Sequence, residues 1–151
     1  SLNTVAVRVC LEVGPKAVIG VAQRLGIADR VRFHGRVEED ELRAAYTKAD
    51  VFAIASIAEL QSIATMEAMA SGLPVVAADA VALPHLVHDG VNGYLFEPGN
   101  ADDLADKLRR VLTASQEEYS RMQQASLEGV DIHDIENTLD TFEKLYRGEP
   151  L

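Results

Sequence analysis

The sequence predicts an α/β fold in which a mostly parallel sheet is flanked by helices. Short apolar runs rich in β-branched residues alternate with segments of helix length, as expected for βα units wrapped around a parallel sheet. The run at residues 51–55 is apolar throughout, which indicates a strand buried on both faces. With 151 residues and 48% apolar content, the chain is long enough for one domain with a substantial core.

The first strand is predicted at residues 5–13, where an apolar run is stopped by Gly14 and Pro15. A helix should follow over residues 16–25 and end at Gly26, because glycine commonly terminates helices.

Three more elements are predicted in the next part of the chain. Residues 30–34 are a short run closed by Gly35, and we expect a strand there. Residues 38–48 begin with acidic residues and end with Lys48, the charge order that a helix dipole favours. The buried strand at residues 51–55 comes next.

A helix is then expected over residues 61–71, ending at Gly72 with Pro74 beyond it. Residues 75–78 are an apolar run and predict another buried strand. Residues 83–88 predict a short helical turn, which is followed by a cluster of turn-forming residues.

The last predicted strand, at residues 94–96, precedes a strongly amphipathic helix over residues 101–112. A charged helical tail is predicted for residues 116–146, with an apolar face that packs on the domain or on a neighbouring one. That face comprises Ile135, Leu139, Phe142, Leu145 and Tyr146. We therefore divide the chain into a sheet domain, residues 1–115, and a helical tail, residues 116–151.

Composition argues against two classes of partner. Asp and Glu number 24 against 14 Lys and Arg, for a formal net charge of -10, so neither nucleic acid nor an anionic membrane is an expected partner.

Cys10 is the only cysteine, which excludes an internal disulfide and suits a reducing compartment. No apolar run approaches the ~18 residues of a membrane span and no secretion signal opens the chain. We expect a cytoplasmic protein.

Two carboxylates, Glu59 and Glu67, stand eight residues apart around the start of the helix at residues 61–71. A helix between them would separate their backbones by roughly 12 Å. An acid and a base that act on one glycosidic bond lie about 5 to 9.5 Å apart. The spacing therefore favours two contacts to one elongated ligand over hydrolysis.

The residues between the acids indicate what such a ligand contains. The first helical residues would have unpaired amide groups, which favour an anion such as a diphosphate. Glu67 lies among apolar residues, and a buried carboxylate is costly unless it accepts hydrogen bonds. Sugar or ribose hydroxyls would donate them. The alternative is that Glu67 pairs locally and that Glu59 is a solvated acid in the first turn of the helix.

Three stretches carry a resemblance to a known family: FHGRV at residues 33–37, LRAAYTKADVFAIAS at residues 42–56, and residues 58–100, which contain both acids and the run AMASGLPVV. Together they resemble the C-terminal, nucleotide-sugar-binding half of group 1 retaining glycosyltransferases, which have two Rossmann-like domains in the GT-B arrangement. The resemblance implies a three-layer Rossmann-like fold, with a mostly parallel sheet flanked by helices and a C-terminal helical tail.

The resemblance also implies roles for individual residues. Glu59 matches the acid that contacts the transferred sugar, and Glu67 matches the acid that contacts the ribose. The amides expected to touch the diphosphate belong to Gln61, Ser62 and Ile63. The loop expected near the nucleotide base contains Gly35, Arg36 and Val37. No metal or other cofactor is expected, and catalysis would rest on positioning and on support of the leaving diphosphate.

The chain departs from the family pattern in two ways. Many members have Phe-Gly where this chain has Gln61 and Ser62, and a side chain at residue 62 partly hinders a close backbone approach to phosphate. The family domain also begins with a strand, a helix and the cations that neutralise the diphosphate. Residues 5–13 align with its second strand instead, and Lys16 and Arg36 are the candidate cations.

A missing first strand would leave two unpaired edges, since it is central in the expected strand order 3-2-1-4-5-6. Either residues 5–13 move into the vacant place or a neighbouring chain fills it. We expect a rearrangement or a strand-exchanged homodimer.

The predicted function is that of the donor-binding half of a retaining glycosyltransferase, which moves a hexose from a nucleotide sugar to an acceptor held by an absent N-terminal domain. The isolated chain is expected to be inactive, and the full-length protein is expected in the cytoplasm, at the inner face of the membrane. The competing interpretation is a non-catalytic or engineered α/β scaffold that keeps the family core for folding alone.

Overall fold

The computed structural model describes residues 5–8 and 15–148. Four parallel strands form one sheet in the order β1-β2-β3-β4. They are β1 Val5–Arg8, β2 Val51–Ile54, β3 Val75–Ala78 and β4 Gly93–Phe96. The helices are α1 Pro15–Arg24, α2 Glu39–Lys48, α3 Ile63–Ala70, α4 Leu83–Leu86, α5 Ala101–Leu112, α6 Gln116–Asp131 and α7 Ile135–Arg147. The predicted three-layer α/β fold with C-terminal helices is confirmed.

The core lies on the two central strands. Every residue of β2 and β3 is buried, as their continuous apolar sequences predicted. The largest fully buried side chains include Phe52, Ile54, Met69 and Leu83, which come from β2, α3 and α4. Burying a side chain of this size contributes about 1.5–3 kcal/mol, so the sheet and these helices form one hydrophobic unit.

The position of the first strand bears on the alternatives raised by the sequence. β1 pairs in parallel with β2, from Val5 opposite Val51 to Arg8 opposite Ile54. β1 therefore lies beside β2, where the family's first strand is expected, and this pairing is compatible with the predicted rearrangement. The lack of a family first strand in this chain stays a prediction. The remaining residues of the predicted strand, 9–13, lie outside the described residues. A strand-exchanged homodimer stays a prediction.

The strand predicted at residues 30–34 is wrong. The chain there forms a short 3-10 turn, Ala28–Arg30, and continues without β pairing. A strand needs a neighbour for its backbone N–H and C=O groups, and within the described ranges no strand lies on the outer side of β1. Phe33 is 43% exposed, so the apolar residues of this run do not face the core.

Helix α3 begins later than predicted and ends where predicted. Ser62 has φ 32° and ψ 65°, a left-handed conformation that keeps residues 61 and 62 out of the helix. At the other end, Gly72 has φ 73° and donates to the Met69 carbonyl, while Leu73 donates to the Ala68 carbonyl. These two bonds form a Schellman motif, which satisfies the last carbonyls of the helix.

The predicted tail is two helices, because α6 ends at Asp131 and α7 starts at Ile135. Ser115 and Glu118 form a capping box that starts α6, and α6 packs against α3. The apolar side chains of α7 are exposed, namely Leu139, Phe142, Leu145 and Tyr146. The side chain of Ile135 lies outside what the structure describes. Packing of this face on a neighbouring domain stays a prediction.

None of the helices in the described ranges combines the length and the apolar character that a membrane span requires.

Candidate functional site

An open cleft of about 500 Å³ lies at the carboxyl end of β2, where the chain leads into α3. Parallel α/β sheets bind ligands at this edge of the sheet. The lining residues are Leu42, Ile54, Glu59, Gln61, Ser62, Ile63, Ala64 and Glu67. The structure thus brings together both predicted acids and all three residues predicted to meet a diphosphate.

The loop that carries Glu59 is fastened to a second loop. Glu59 is half-buried, and its carbonyl accepts a hydrogen bond of 3.3 Å from the amide of Ala82, which follows β3. The residue before it, Val81, has φ 50°. A left-handed backbone is uncommon for a β-branched residue, so this second loop holds a strained conformation beside the cleft.

The start of α3 offers free amide groups to the cleft. Ser62 does not cap the helix with its side chain; instead its hydroxyl pairs with the hydroxyl of Thr65 at 2.7 Å, in a buried contact. The first helical hydrogen bonds run from Thr65 and Met66 to the Ser62 carbonyl, so the amides of Ile63 and Ala64 come before the first bonded turn. The amides that open the helix are therefore those of Ile63 and Ala64, and the expectation that Gln61 begins it is wrong.

Glu67 is not buried, and the prediction of a buried charge is wrong. The residue is exposed, because α3 turns a narrow stripe toward the core, made of Ala64, Thr65, Ala68 and Met69. At 3.6 residues per turn, Glu67 lies on the opposite side together with Ile63, which is 64% exposed. The surrounding apolar sequence suggested burial only because the outward face of this helix is partly apolar as well.

Glu67 has an internal partner, as the alternative of local pairing allowed, although the sequence did not identify this partner as Tyr46. The hydroxyl of Tyr46 on α2 donates to Oε2 of Glu67 at 3.2 Å. Tyr46 is 5% exposed and meets Phe52 edge to face, with ring centroids 5.9 Å apart. The available signal was one tyrosine on the apolar side of a strongly charged helix, since a buried phenol needs a partner for its hydroxyl.

The residues predicted near the nucleotide base do not line the cleft. Gly35 and Arg36 are exposed and Val37 is half-buried, in the segment that precedes α2. Their role stays a prediction. The side chain of Lys16 lies outside the described residues.

The cleft is acidic in its side chains. The described part of its lining contains two carboxylates and no lysine or arginine. Among these residues, the attraction for an anion comes from the start of α3. Across the residues that the structure describes, no group of three or more His, Cys, Asp or Glu side chains is placed to hold a metal. The expectation that no metal is needed stays a prediction.

Comparison with known proteins agrees with this architecture. The model of the family Glycosyl transferases group 1 matches residues 12–128. The chain is 39% identical over 107 residues to the D-inositol 3-phosphate glycosyltransferase of Mycolicibacterium vanbaalenii, which covers 71% of this chain and 24% of that protein. It is 43% identical over 83 residues to the sulfoquinovosyl transferase SQD2 of Arabidopsis thaliana, which covers 53% of this chain and 16% of that protein. The matched region thus spans a quarter or less of the length of these curated relatives.

Two solved structures have the same fold. Anabaena Alr3699/HepE in complex with UDP and glucose superposes with a TM-score of 0.78 and 28% identity, over 88% of this chain and 36% of that one. The sucrose-phosphate synthase of Thermosynechococcus elongatus gives 0.80 and 26%, over 95% of this chain and 37% of that one. With the family match extending over residues 12–128 and the Rossmann-like fold shared with both structures, the chain belongs to the group 1 glycosyl transferases and corresponds to their C-terminal type of domain.

Proposed function

We propose that this chain is the donor-binding half of a retaining glycosyltransferase and holds a nucleoside-diphosphate sugar in the cleft between α2 and α3. One observation carries the proposal: the start of α3 lies between Glu59 and Glu67 in the lining of a single cleft. A ligand with a charged centre and a polyhydroxyl group at each end matches that order. The diphosphate is the charged centre, and the sugar and the ribose are the ends.

The diphosphate would bind the amides of Ile63 and Ala64, and the predicted contacts of Gln61 and Ser62, which also line the cleft, stay part of the proposal. A helix start carries roughly +0.5 of an elementary charge, and its unpaired N–H groups point toward an anion. Because the described lining of the cleft contains no lysine or arginine, the start of α3 by itself replaces only part of the hydration that a diphosphate loses. Further cations would come from the rest of the full-length protein.

The two carboxylates would bind hydroxyl groups rather than phosphate. A carboxylate accepts hydrogen bonds at about four lone-pair positions, whereas it repels a phosphate. Glu59 would therefore contact the transferred sugar and Glu67 the ribose, with Gly35, Arg36 and Val37 nearer to the base. The solved relative with bound UDP and glucose, 28% identical to this chain, supports this class of donor.

Transfer itself needs more than this chain. The 107 matched residues are 24% of one curated relative and the 83 matched residues are 16% of the other. Both relatives are therefore roughly three times as long as this chain, which supports a separate acceptor-binding domain N-terminal to this one. We propose that the sugar is a hexose, that it is transferred with retention of configuration and without a metal, and that the isolated chain is inactive. Positioning and electrostatic support of the leaving diphosphate would supply catalysis.

The test is ligand titration of the isotopically labelled chain, followed by NMR and calorimetry. UDP, GDP, UDP-glucose and GDP-mannose should shift the amide signals of Ile63 and Ala64 and those around Glu59 and Glu67. Glu67→Gln should weaken binding about tenfold, because it replaces a charged hydrogen-bond acceptor by a neutral one. Since Glu67 is exposed and glutamine still offers an oxygen to the Tyr46 hydroxyl, the unfolding free energy of the chain should fall by less than about 1 kcal/mol.

The matched control is Glu117→Gln, which alters an exposed acid outside the cleft lining and should leave binding unchanged. If no nucleotide or nucleotide sugar shifts any signal at millimolar concentration, the proposal fails. The competing interpretation, an α/β scaffold without ligand binding, would then stand.

A further inference from the structure

Tyr46 joins α2 to α3 beside the cleft. It lies in the last turn of α2, and its ring is buried against Phe52. Its hydroxyl points toward α3, where Oε2 of Glu67 is 3.2 Å away and the carbonyl of Ala64 is 3.5 Å away. The packing of the ring therefore fixes the position of one hydrogen-bond donor at the edge of the cleft.

The chemistry of this donor favours the carboxylate. A phenol hydroxyl has one hydrogen to donate, and a charged acceptor binds it more strongly than a neutral carbonyl. The nearer of the two acceptors is also the carboxylate. The hydrogen bond thus connects the side chain of an exposed glutamate to a buried ring that packs against Phe52.

We propose that Tyr46 is a positioning residue for the nucleotide: it holds the Glu67 carboxylate in the orientation that receives the ribose hydroxyls. This inference rests on the proposed function. A glutamate side chain has many rotamers, and ordering it on binding reduces affinity. A carboxylate that is already oriented by Tyr46 avoids most of that loss, and it can accept further hydrogen bonds while it keeps this one.

A purely structural role is the alternative. In that case the hydroxyl contacts Glu67 only because a buried phenol requires a partner, and its removal would affect the fold without affecting ribose recognition. The two roles differ in one respect: only a positioning role makes the loss of affinity on removing the Tyr46 hydroxyl depend on the ribose hydroxyls of the ligand.

The experiment measures the dissociation constants of UDP and GDP, and of their 2′,3′-dideoxy forms, for the wild-type chain, Tyr46→Phe, Glu67→Gln and the double variant. Tyr46→Phe keeps the ring and removes the hydroxyl. We expect it to weaken binding of UDP or GDP about three- to tenfold, the range that one hydrogen bond supports. It should not weaken binding of the dideoxy forms, and it should add no further loss to Glu67→Gln.

Tyr119→Phe is the matched control. It also removes a hydroxyl hydrogen bond, to the carbonyl of Asp50 at 2.8 Å, but Tyr119 does not line the cleft. It should leave all four dissociation constants unchanged.

Two results would overturn the inference while leaving the proposed function intact. One is unchanged UDP and GDP binding in Tyr46→Phe. The other is an equal loss for the ribose and dideoxy ligands, or the same loss in the Glu67→Gln background, which would indicate a structural role. If the wild-type chain binds none of the four ligands, the proposed function fails and this inference fails with it.

Discussion

Replacing Gly93 by alanine should disrupt the join between β3 and β4. A Cβ atom at this position would lie 1.8 Å from the carbonyl oxygen of Val75, where real Cβ atoms keep at least 3.0 Å. Because protein interiors are close-packed, the strand must move by more than about 1 Å to relieve this overlap. Glycine is required here by the close approach of the two strands.

The magnitude follows from what that movement breaks. Two hydrogen bonds flank the contact: Val75 donates to the Asn92 carbonyl at 3.0 Å, and Gly90 donates to the Gly93 carbonyl at 2.8 Å. Each contributes about 0.5–1.5 kcal/mol, and overpacking costs about 1–3 kcal/mol. We expect Gly93→Ala to lower the unfolding free energy by about 3 to 5 kcal/mol, a large share of the roughly 5–15 kcal/mol of a typical domain.

The assay is urea unfolding followed by circular dichroism, with Gly99→Ala as the control. Gly99 has φ 81° and no atom within 4 Å of its would-be Cβ, so the same substitution there should cost only the roughly 1–2 kcal/mol of a left-handed alanine. An equal loss in the two variants would refute the steric explanation, because the overlap with Val75 would then add nothing to the backbone cost of alanine.

Two further predictions concern groups outside the cleft. Asn92 is buried, accepts from the His88 amide and donates to the Leu86 carbonyl, both at 2.8 Å; Asn92→Ala should lower the unfolding free energy by about 2 to 4 kcal/mol in a urea titration, and a loss below about 1 kcal/mol would contradict this. The pKa of Tyr119 is raised above its ordinary value of 10.0 by burial and, secondarily, by Asp50, so the folded chain holds that proton more tightly than the unfolded chain does. The contribution of Tyr119 to stability should be present below pH 10 and be lost as the pH rises above it. Urea unfolding midpoints measured from pH 8 to 11 should therefore decline less steeply for Tyr119→Phe than for the wild-type chain. Identical declines with pH in the two proteins would contradict this assignment.

Local sequence signals predicted the elements whose environment is uniform. Residues 51–55 and 75–78 are apolar at every position, and the strands formed there are buried throughout. The sequence likewise predicted that α3 ends at Gly72, because a glycine after a helix adopts the left-handed conformation that other residues avoid. In both cases the information lies within a few residues of the element itself.

The errors arose where the outcome depends on distant parts of the chain. Whether residues 30–34 become a strand depends on a pairing partner, which no local pattern reveals. The burial of Glu67 was misjudged because Ile63 is apolar and yet exposed, so the two faces of α3 do not differ in composition. Apolar side chains are common on protein surfaces, and helical periodicity disappears when they occupy the outward face. The contact between Tyr46 and Glu67 was not predicted either, because the two residues are 21 positions apart in the sequence.

Ser62 and Val81 are the two non-glycine residues with positive φ among those the structure describes, and both belong to loops that meet beside Glu59. A laboratory selection for heat resistance should therefore accumulate substitutions at these positions early. Glycine at residue 81, where the side chain is 56% exposed, would relieve the backbone with little loss of packing, at the expense of a more mobile loop. Thermal stability and the shape of the cleft near Glu59 thus depend on the same backbone dihedral angles, those of Ser62 and Val81. A substitution that stabilises the domain at these residues would also change the cleft.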